Sequence, residues 1–425
     1  MTSTKDQKNY LVPIIMMIFL FGMISFVTNL AAPMGVVLKN QFGASNAQGM
    51  MGNMMNFAAY LLMGIPAGLL LQKIGYKRTA MLAVAVGFIG LAVQYFSGHI
   101  GNFWVYLLGA FIAGFSMCML NTVVNPMLNT LGGGGKKGNQ LIQIGGTFNS
   151  LCATLVPMLV GALVGEVAKA NITAVYPVMY IAMGIFALAF IILTVVNIPE
   201  PIATKEKINF LDALKFRHFV LGAVAIFVYV GIEVGVPATM NLFLADASIG
   251  LDASTAGFVT GTYWFLMLIG RFVGASLGAK ISSKTMLTFA SVLGLVLVLL
   301  AIFSSPETRT NLPVFKTLED GSLSFGLTEV PISALFLVLC GLCTSIMWGG
   351  IFNLAVEGLG KYTAAASGIF MTLVVGGGIL PAIQGWLADI TTYMTSYWLI
   401  IACFAYLLYY ALIGSKNVNT DIPVE

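Results

Sequence analysis

The chain has 425 residues, of which 59% are hydrophobic and 8% charged, with a mean hydropathy of +0.94. A soluble domain carries about 25% charged residues to cover its surface, so a surface this poor in charge must face lipid. The net charge of +4 is assigned below to membrane topology, and no nucleic-acid partner is expected.

Residues 1–10 are short and polar. The apolar stretch that follows is too long for a signal-peptide core and reads as a retained first span. A bilayer core needs about 20 apolar residues in helical form, because every backbone group must be satisfied within the segment. Twelve runs meet that requirement: 11–38, 47–71, 79–97, 103–130, 141–165, 173–197, 218–244, 254–279, 285–303, 332–356, 363–388 and 393–414. The expectation is an all-α polytopic membrane protein. Two connections are long: the charged 198–217, and 304–331, rich in Pro, Thr and Ser.

With the N-terminus placed in the cytoplasm, fifteen Lys and Arg fall inside and four fall outside (Lys39, Lys169, Arg309 and Lys316). Arg271 alone lies within a span. That bias matches the positive-inside rule and predicts an even span count with both termini cytoplasmic.

The linker 198–217 divides the chain into a six-helix half over 1–197 and another over 218–425. Weak internal matches keep a common order. Asn29-Leu-Ala-Ala-Pro33 pairs with Glu233-Val-Gly-Val-Pro237, Gly114-Phe115 and Asn121 with Gly341-Leu342 and Trp348, and Gly146-Thr-Phe148 with Gly368-Ile-Phe370. Two pseudo-symmetric six-helix bundles are the plan of a rocking transporter that holds its substrate at mid-membrane.

Ionisable groups inside spans are functional candidates, and two stand out: Glu233 in span 7 and Arg271 in span 8. They serve either as a coupling centre for a proton or cation, or as an ion pair that only joins two helices. The amides Asn29, Asn121, Asn125, Gln143, Asn149 and Asn241 offer both donors and acceptors, as sugar hydroxyls do; interhelical bonding is their alternative role. Asn121 and Asn125 share a helix face. Trp104, Trp386 and Trp398 fit an interfacial belt. Trp264 and Trp348 lie deeper and, with Tyr229 and Tyr263, offer either a stacking platform for a sugar ring or ordinary packing.

Several lookalikes carry no chemistry. Gly132-Gly-Gly-Gly-Gly-Lys-Lys-Gly138 follows a membrane span and lacks the Lys-Ser/Thr ending of a phosphate loop. Cys118, Cys152, Cys340, Cys343 and Cys403 all lie in apolar runs and read as structural thiols; Cys340 and Cys343 form an isolated C-x-x-C. His99 and His218 have no carboxylate partner in sequence reach, so no metal, cofactor or catalytic triad is expected.

Gly68-Leu-Leu-Leu-Gln-Lys-Ile-Gly-Tyr-Lys-Arg78 resembles the signature loop between spans 2 and 3 of the major facilitator superfamily, with Gln72 at its acidic position. That resemblance implies a gating role for Gly75, Lys77 and Arg78. Ile65-Pro-Ala-Gly68, Asn125-Pro126 with Leu131-Gly132, Thr147-Phe-Asn-Ser150, Gly231-Ile-Glu-Val234 and Gly270-Arg-Phe272 resemble the fucose–galactose–glucose:proton symporter family within it. The resemblance implies the twelve-helix facilitator fold in a bacterial cytoplasmic membrane and import of a small neutral monosaccharide. The family's fucose–proton symporters carry an Asp in span 1 and a Glu four residues before the Asn-Pro of span 4; those positions here are Ala32 and Asn121. Neither titrates near neutral pH.

These readings give a monomeric, non-enzymatic secondary transporter of a hexose or deoxyhexose, lined by Asn29, Asn121, Asn125, Gln143, Asn149, Tyr229, Trp264 and Trp348. Coupling to H+ or Na+ through Glu233 and Arg271 stays open against an uncoupled facilitator. A sugar sensor and a drug or lipid exporter are the other readings.

Overall fold

The computed structural model describes residues 10–42, 46–164, 171–200, 209–251, 253–305, 307–317, 323–419 and 421–424. Within them, the side chains of 31–36, 38–40, 46–50, 53, 157, 158, 160–162, 164, 253, 254, 316, 317 and 323 are not described. Ala32 and Lys39 fall among those side chains, and Lys169 lies outside the described residues altogether.

The apolar runs form helices α1 (Leu11–Phe42), α2 (Asn46–Ile100), α3 (Phe103–Leu131), α4 (Gly135–Val164), α5 (Tyr176–Val195), α6 (Arg217–Ala245), α7 (Ala253–Leu277) and α8 (Ser283–Phe303). After a hairpin come α9 (Ile332–Ser345), α10 (Met347–Ala355), α11 (Thr363–Thr372), α12 (Gly376–Ile390) and α13 (Tyr393–Tyr409). Ten segments among the described residues are long and apolar enough to cross a membrane, and one of them, Met54–Ile100, has 47 residues. At about 1.5 Å per residue it is twice as long as one crossing requires. It therefore supplies spans 2 and 3. The polar first turns of α4, with Lys136, Lys137, Gln140 and Gln143, leave that helix to be positioned by packing on α1 and α7.

Gly75 divides α2, with φ 80° and ψ 177°, a conformation that an L side chain resists. The span after it begins under a carboxylate from far along the chain. Glu200 accepts from the N–H of Tyr76 at 2.8 Å and of Lys77 at 3.3 Å, satisfying donors left open at a helix start. In return Lys77 Nζ donates to the carbonyls of Thr194 and Val196, at 3.1 and 2.8 Å, at the end of α5. Elsewhere Asn102, Ser282 and Thr392 cap α3, α8 and α13 through side-chain oxygens.

Span 10 is broken at Ile346, between α9 and α10, and span 11 by a 3₁₀ turn at Leu373–Val375, between α11 and α12. Gln143 Nε2 donates to the Ile346 carbonyl at 2.8 Å, so a side chain from α4 meets the backbone at the break.

The fold is helical apart from one element. The long connection 304–331 contains an antiparallel hairpin of β1 (Arg309–Thr317) and β2 (Leu323–Pro331), with Phe315 opposite Phe325 and Pro313 opposite Leu327.

Helices α1–α5 pack among themselves, as do α6–α13. Contact between these sets runs through α2 on α11, α4 on α7 and α10, and α3 on α11. One end of the bundle carries Lys77, Arg78, Lys136, Lys280, Lys284 and Lys361, and is termed the basic end; the hairpin marks the other. Most of the cross-contacts lie toward the basic end. Gly68 and Gly368 cross there so closely that a Cβ on Gly68 would lie 2.9 Å from Gly368 Cα. Lys136 Nζ donates to the Lys280 carbonyl past the end of α7 at 3.0 Å.

Candidate transport site

Two polar groups meet where the halves face each other. The first centres on Arg271. Its Nη2 donates to Glu233 Oε1 at 3.2 Å, and both side chains are largely buried. Its Nη1 donates to Ser150 Oγ at 2.7 Å, with longer bonds to the Gly146 carbonyl at 3.3 Å and Asn149 Oδ1 at 3.4 Å. The guanidinium therefore joins a carboxylate of its own half to three oxygens of the other. Its fixed fork of donors makes that division possible, whereas a Lys ammonium has no such planar geometry. Asn149 in turn donates to the Phe21 carbonyl at 2.8 Å, tying α4 to α1.

The second group runs from α2 through α3 to α10. Asn121 Nδ2 donates to the Tyr60 hydroxyl at 2.6 Å, Asn125 Nδ2 donates to Asn121 O at 2.9 Å, and Trp348 Nε1 donates to Asn125 Oδ1 at 2.9 Å. The Trp348 ring meets Tyr229 and Phe370 edge-on, at 6.3 and 6.1 Å. Tyr229 precedes Glu233 by one turn of α6, so it links the two groups.

The remaining candidates lie apart. Asn29 turns back within α1 to the Ser25 carbonyl and hydroxyl, at 2.8 and 3.0 Å. Trp264 is 43% exposed and meets Tyr263 edge-on; Tyr263 itself shares a hydrogen bond with Thr344 at 2.9 Å. Asn241 accepts from Thr260 Oγ1 at 3.4 Å. Gly75, Lys77 and Arg78 line a cleft of about 470 Å³ at the basic end, together with Gln72, Glu200 and Lys361.

Four residues of these networks carried no sequence signal strong enough to single them out. Ser150 and Tyr60 are a common hydroxyl type each and gain meaning only from their partners. Glu200 sits in a charged linker. Gln384 in α12 is fully buried with neither amide atom hydrogen-bonded, and the Tyr229 hydroxyl is likewise buried and unpartnered. Gln384 faces α6 at Gly235, two residues beyond Glu233. Buried polar atoms are nearly always paired, which makes the Gln384 amide an exception, but Gly235 and Glu233 lie on opposite faces of α6, so Gln384 sits apart from the Arg271 group. A lone amide in an otherwise apolar span was the available clue to Gln384. Among the described residues no group of His, Cys, Asp and Glu is arranged to hold a metal ion.

A multi-pass helical bundle with broken helices and buried polar groups between two halves defines a membrane transporter rather than an enzyme. The Major Facilitator Superfamily profile matches residues 14–380. The chain is 30% identical over 430 residues to the glucose/galactose transporter of Brucella abortus biovar 1 (strain 9-941), covering 98% of this chain and 97% of that one. It is 22% identical to the L-fucose-proton symporter of Escherichia coli (strain K12), over 97% and 95% of the two chains. A crystal structure of FucP, a transporter of the superfamily, in the outward conformation superposes with a TM-score of 0.81 at 20% identity, covering 96% of this chain and all of that one. The chain belongs to the Major Facilitator Superfamily and, within it, to the fucose–galactose–glucose:proton symporter family.

Proposed function

We propose that the chain imports a neutral monosaccharide, a hexose or deoxyhexose, by alternating access, with uptake coupled to H+ or Na+ at Glu233. The observation that carries this reading is the position of Arg271, shared between Glu233 in one half and Ser150, Gly146 and Asn149 in the other. Neutralising Glu233 with a proton, or drawing it toward a cation, removes one of the two attachments of the guanidinium. The interface then loosens where the halves meet. Asn121 and Ala32 hold no titratable group, which leaves Glu233 as the carboxylate on which coupling rests.

A neutral solute fits the surroundings. The site holds one compensated cation, while amides, the Tyr229 hydroxyl and the Trp348 ring supply hydrogen bonds and an aromatic face. The names of the relatives, glucose/galactose transporter and L-fucose-proton symporter, support the same substrate class. Residues 1–197 and 218–425 act as the two rocking bundles, joined by 198–217. The basic end faces the cytoplasm of a bacterial cell, as the positive-inside rule requires, so the present arrangement is closed on that side.

Counterflow of a panel of labelled monosaccharides in proteoliposomes tests the substrate class. Exchange of a hexose or deoxyhexose is expected, and no exchange of any sugar would remove the proposal. Uptake under a pH gradient and, separately, a sodium gradient identifies the coupling ion.

A further inference from the structure

The β1–β2 hairpin has two faces, and neither suits water along its whole length. On one face Leu312, Val314 and Val330 are buried, and the strands pack on α7 and α9. The other face changes character along the ladder. At its root Arg309, Asn311 and Glu329 are exposed. Further out, Pro313 stands opposite Leu327 and Phe315 opposite Phe325; Leu327 is 63%, Phe325 60% and Phe315 44% exposed. An antiparallel hairpin in water has a polar outer face, and a cluster of large apolar side chains left uncovered marks an interaction surface.

The apolar part of this face continues onto the membrane-spanning body. Phe315 meets Phe265 of α7 edge-on, at 6.3 Å, and meets Phe325 at 5.2 Å. Phe265 shares an exposed flank of α7 with Ile269 and Phe272, one and two turns on. In a multi-pass membrane protein such an apolar flank is lipid-facing. At the hairpin root an apolar crevice of about 430 Å³, lined among others by Val296, Leu300, Phe303, Ile332 and Phe336, extends the same surface between α8 and α9.

We infer that the hairpin is a membrane-docking element, with Phe315, Phe325 and Leu327 seated in the lipid leaflet on the hairpin's side and Arg309, Asn311 and Glu329 in the aqueous layer. A two-stranded hairpin has open edges whose backbone groups need water. It therefore lies flat in the interfacial zone and dips only its apolar side chains. Pro313, with no N–H, leaves one fewer donor to satisfy on β1. This inference concerns lipid alone and holds whatever solute is carried.

Site-directed spin labels on the full chain in lipid vesicles test it, using Leu327→Cys and Phe325→Cys, with Asn311→Cys as the same-face control. Cys152→Ser removes the one native thiol that is not buried. Relaxation by oxygen, which concentrates in lipid, is compared with relaxation by a water-soluble nickel chelate. The oxygen-to-nickel ratio is expected to be several-fold higher at 327 and 325 than at 311. A ratio at 327 equal to that at 311 places the face in water and overturns the inference. Protection from both reagents shows that protein covers the face and overturns it equally. Position 327 is not a member of the Phe315–Phe325 ring pair, so its label reports even if loss of that contact disturbs the other variant.

Discussion

The indole N–H of Trp348 donates to Asn125 Oδ1 across the boundary between the halves, at 2.9 Å. Asn125 is fully buried and its own amide N–H is used by Asn121 O, so the Trp348 bond is what satisfies its oxygen. Under the proposed alternating access, parting of the halves at the basic end would break this bond. It is thus a side-chain contact that reports the conformational state.

Trp348→Phe keeps a ring against Tyr229 and Phe370 but removes the donor. Leaving a buried amide oxygen unpaired costs about 1–3 kcal/mol, all of it charged to the closed arrangement. The variant is expected to open more readily at the basic end. Distance measurements between spin labels on the basic ends of α3 and α10 should show a longer mean separation than in the native protein. An unchanged distribution would mean that the bond carries no weight in the equilibrium.

Glu233→Gln retains size and hydrogen-bonding capacity but cannot bind a proton or attract a cation. Arg271 keeps Ser150 as a partner at short range, so the fold should persist. Gradient-driven accumulation is expected to fall to the level of simple equilibration, while sugar counterflow continues. Accumulation equal to the native protein would sink the assignment of Glu233 as the coupling group. Glu233→Ala should be harsher, because removing one partner of a buried pair costs about 3–5 kcal/mol.

These residues differ in how far the sequence announces them. Glu233 and Arg271 are conspicuous because charge inside an apolar span is costly, and Asn121 and Trp348 because they occupy matching places in the two halves. Their partners are another matter. Ser150 lies 121 residues from Arg271 and Asn125 lies 223 from Trp348; no periodicity encodes which hydroxyl or amide another bundle will present. Asn29 and Trp264 satisfy the same compositional test as Asn125, yet one bonds within its own helix and the other stays exposed. Span number followed from hydrophobic length alone, since lipid leaves the backbone few alternatives. The hairpin was missed: the Pro, Thr and Ser of 304–331 give the segment the composition of a loop, although Asp320-Gly321 within it is a hairpin turn signal.

Gly68→Leu places a branched side chain where Gly368 Cα lies 2.9 Å from the position of a Cβ. Small residues permit this crossing of α2 and α11, and backbone cannot yield as a flexible side chain does. The closed arrangement should become inaccessible while each half remains folded. Cysteines placed on the facing surfaces of α2 and α11 should react faster with an impermeant thiol reagent applied at the basic end, and sugar uptake should slow. Native reactivity in the variant would show that the helices adjust without parting.

Glu200 is the last case, and its effect separates stability from transport. The carboxylate accepts from two N–H groups where the chain resumes its helix after Gly75, in the manner of a capping side chain. It also sits at the mouth of the basic-end cleft with Lys77 and Arg78. If Glu200 only caps, Glu200→Gln should lower thermal stability by about 1 kcal/mol or less, because an amide oxygen still accepts, and sugar affinity should not change. Glu200→Ala should lose about 0.5–2 kcal/mol, and the third span's first turn should exchange its amide hydrogens faster. If the Glu200–Lys77 region also acts in gating, as the loop's resemblance implies, both variants should alter the rate of counterflow at saturating sugar while the half-saturation concentration stays constant. A change in half-saturation without a change in rate would place Glu200 in the path of the solute, at odds with its position in the linker beyond α5.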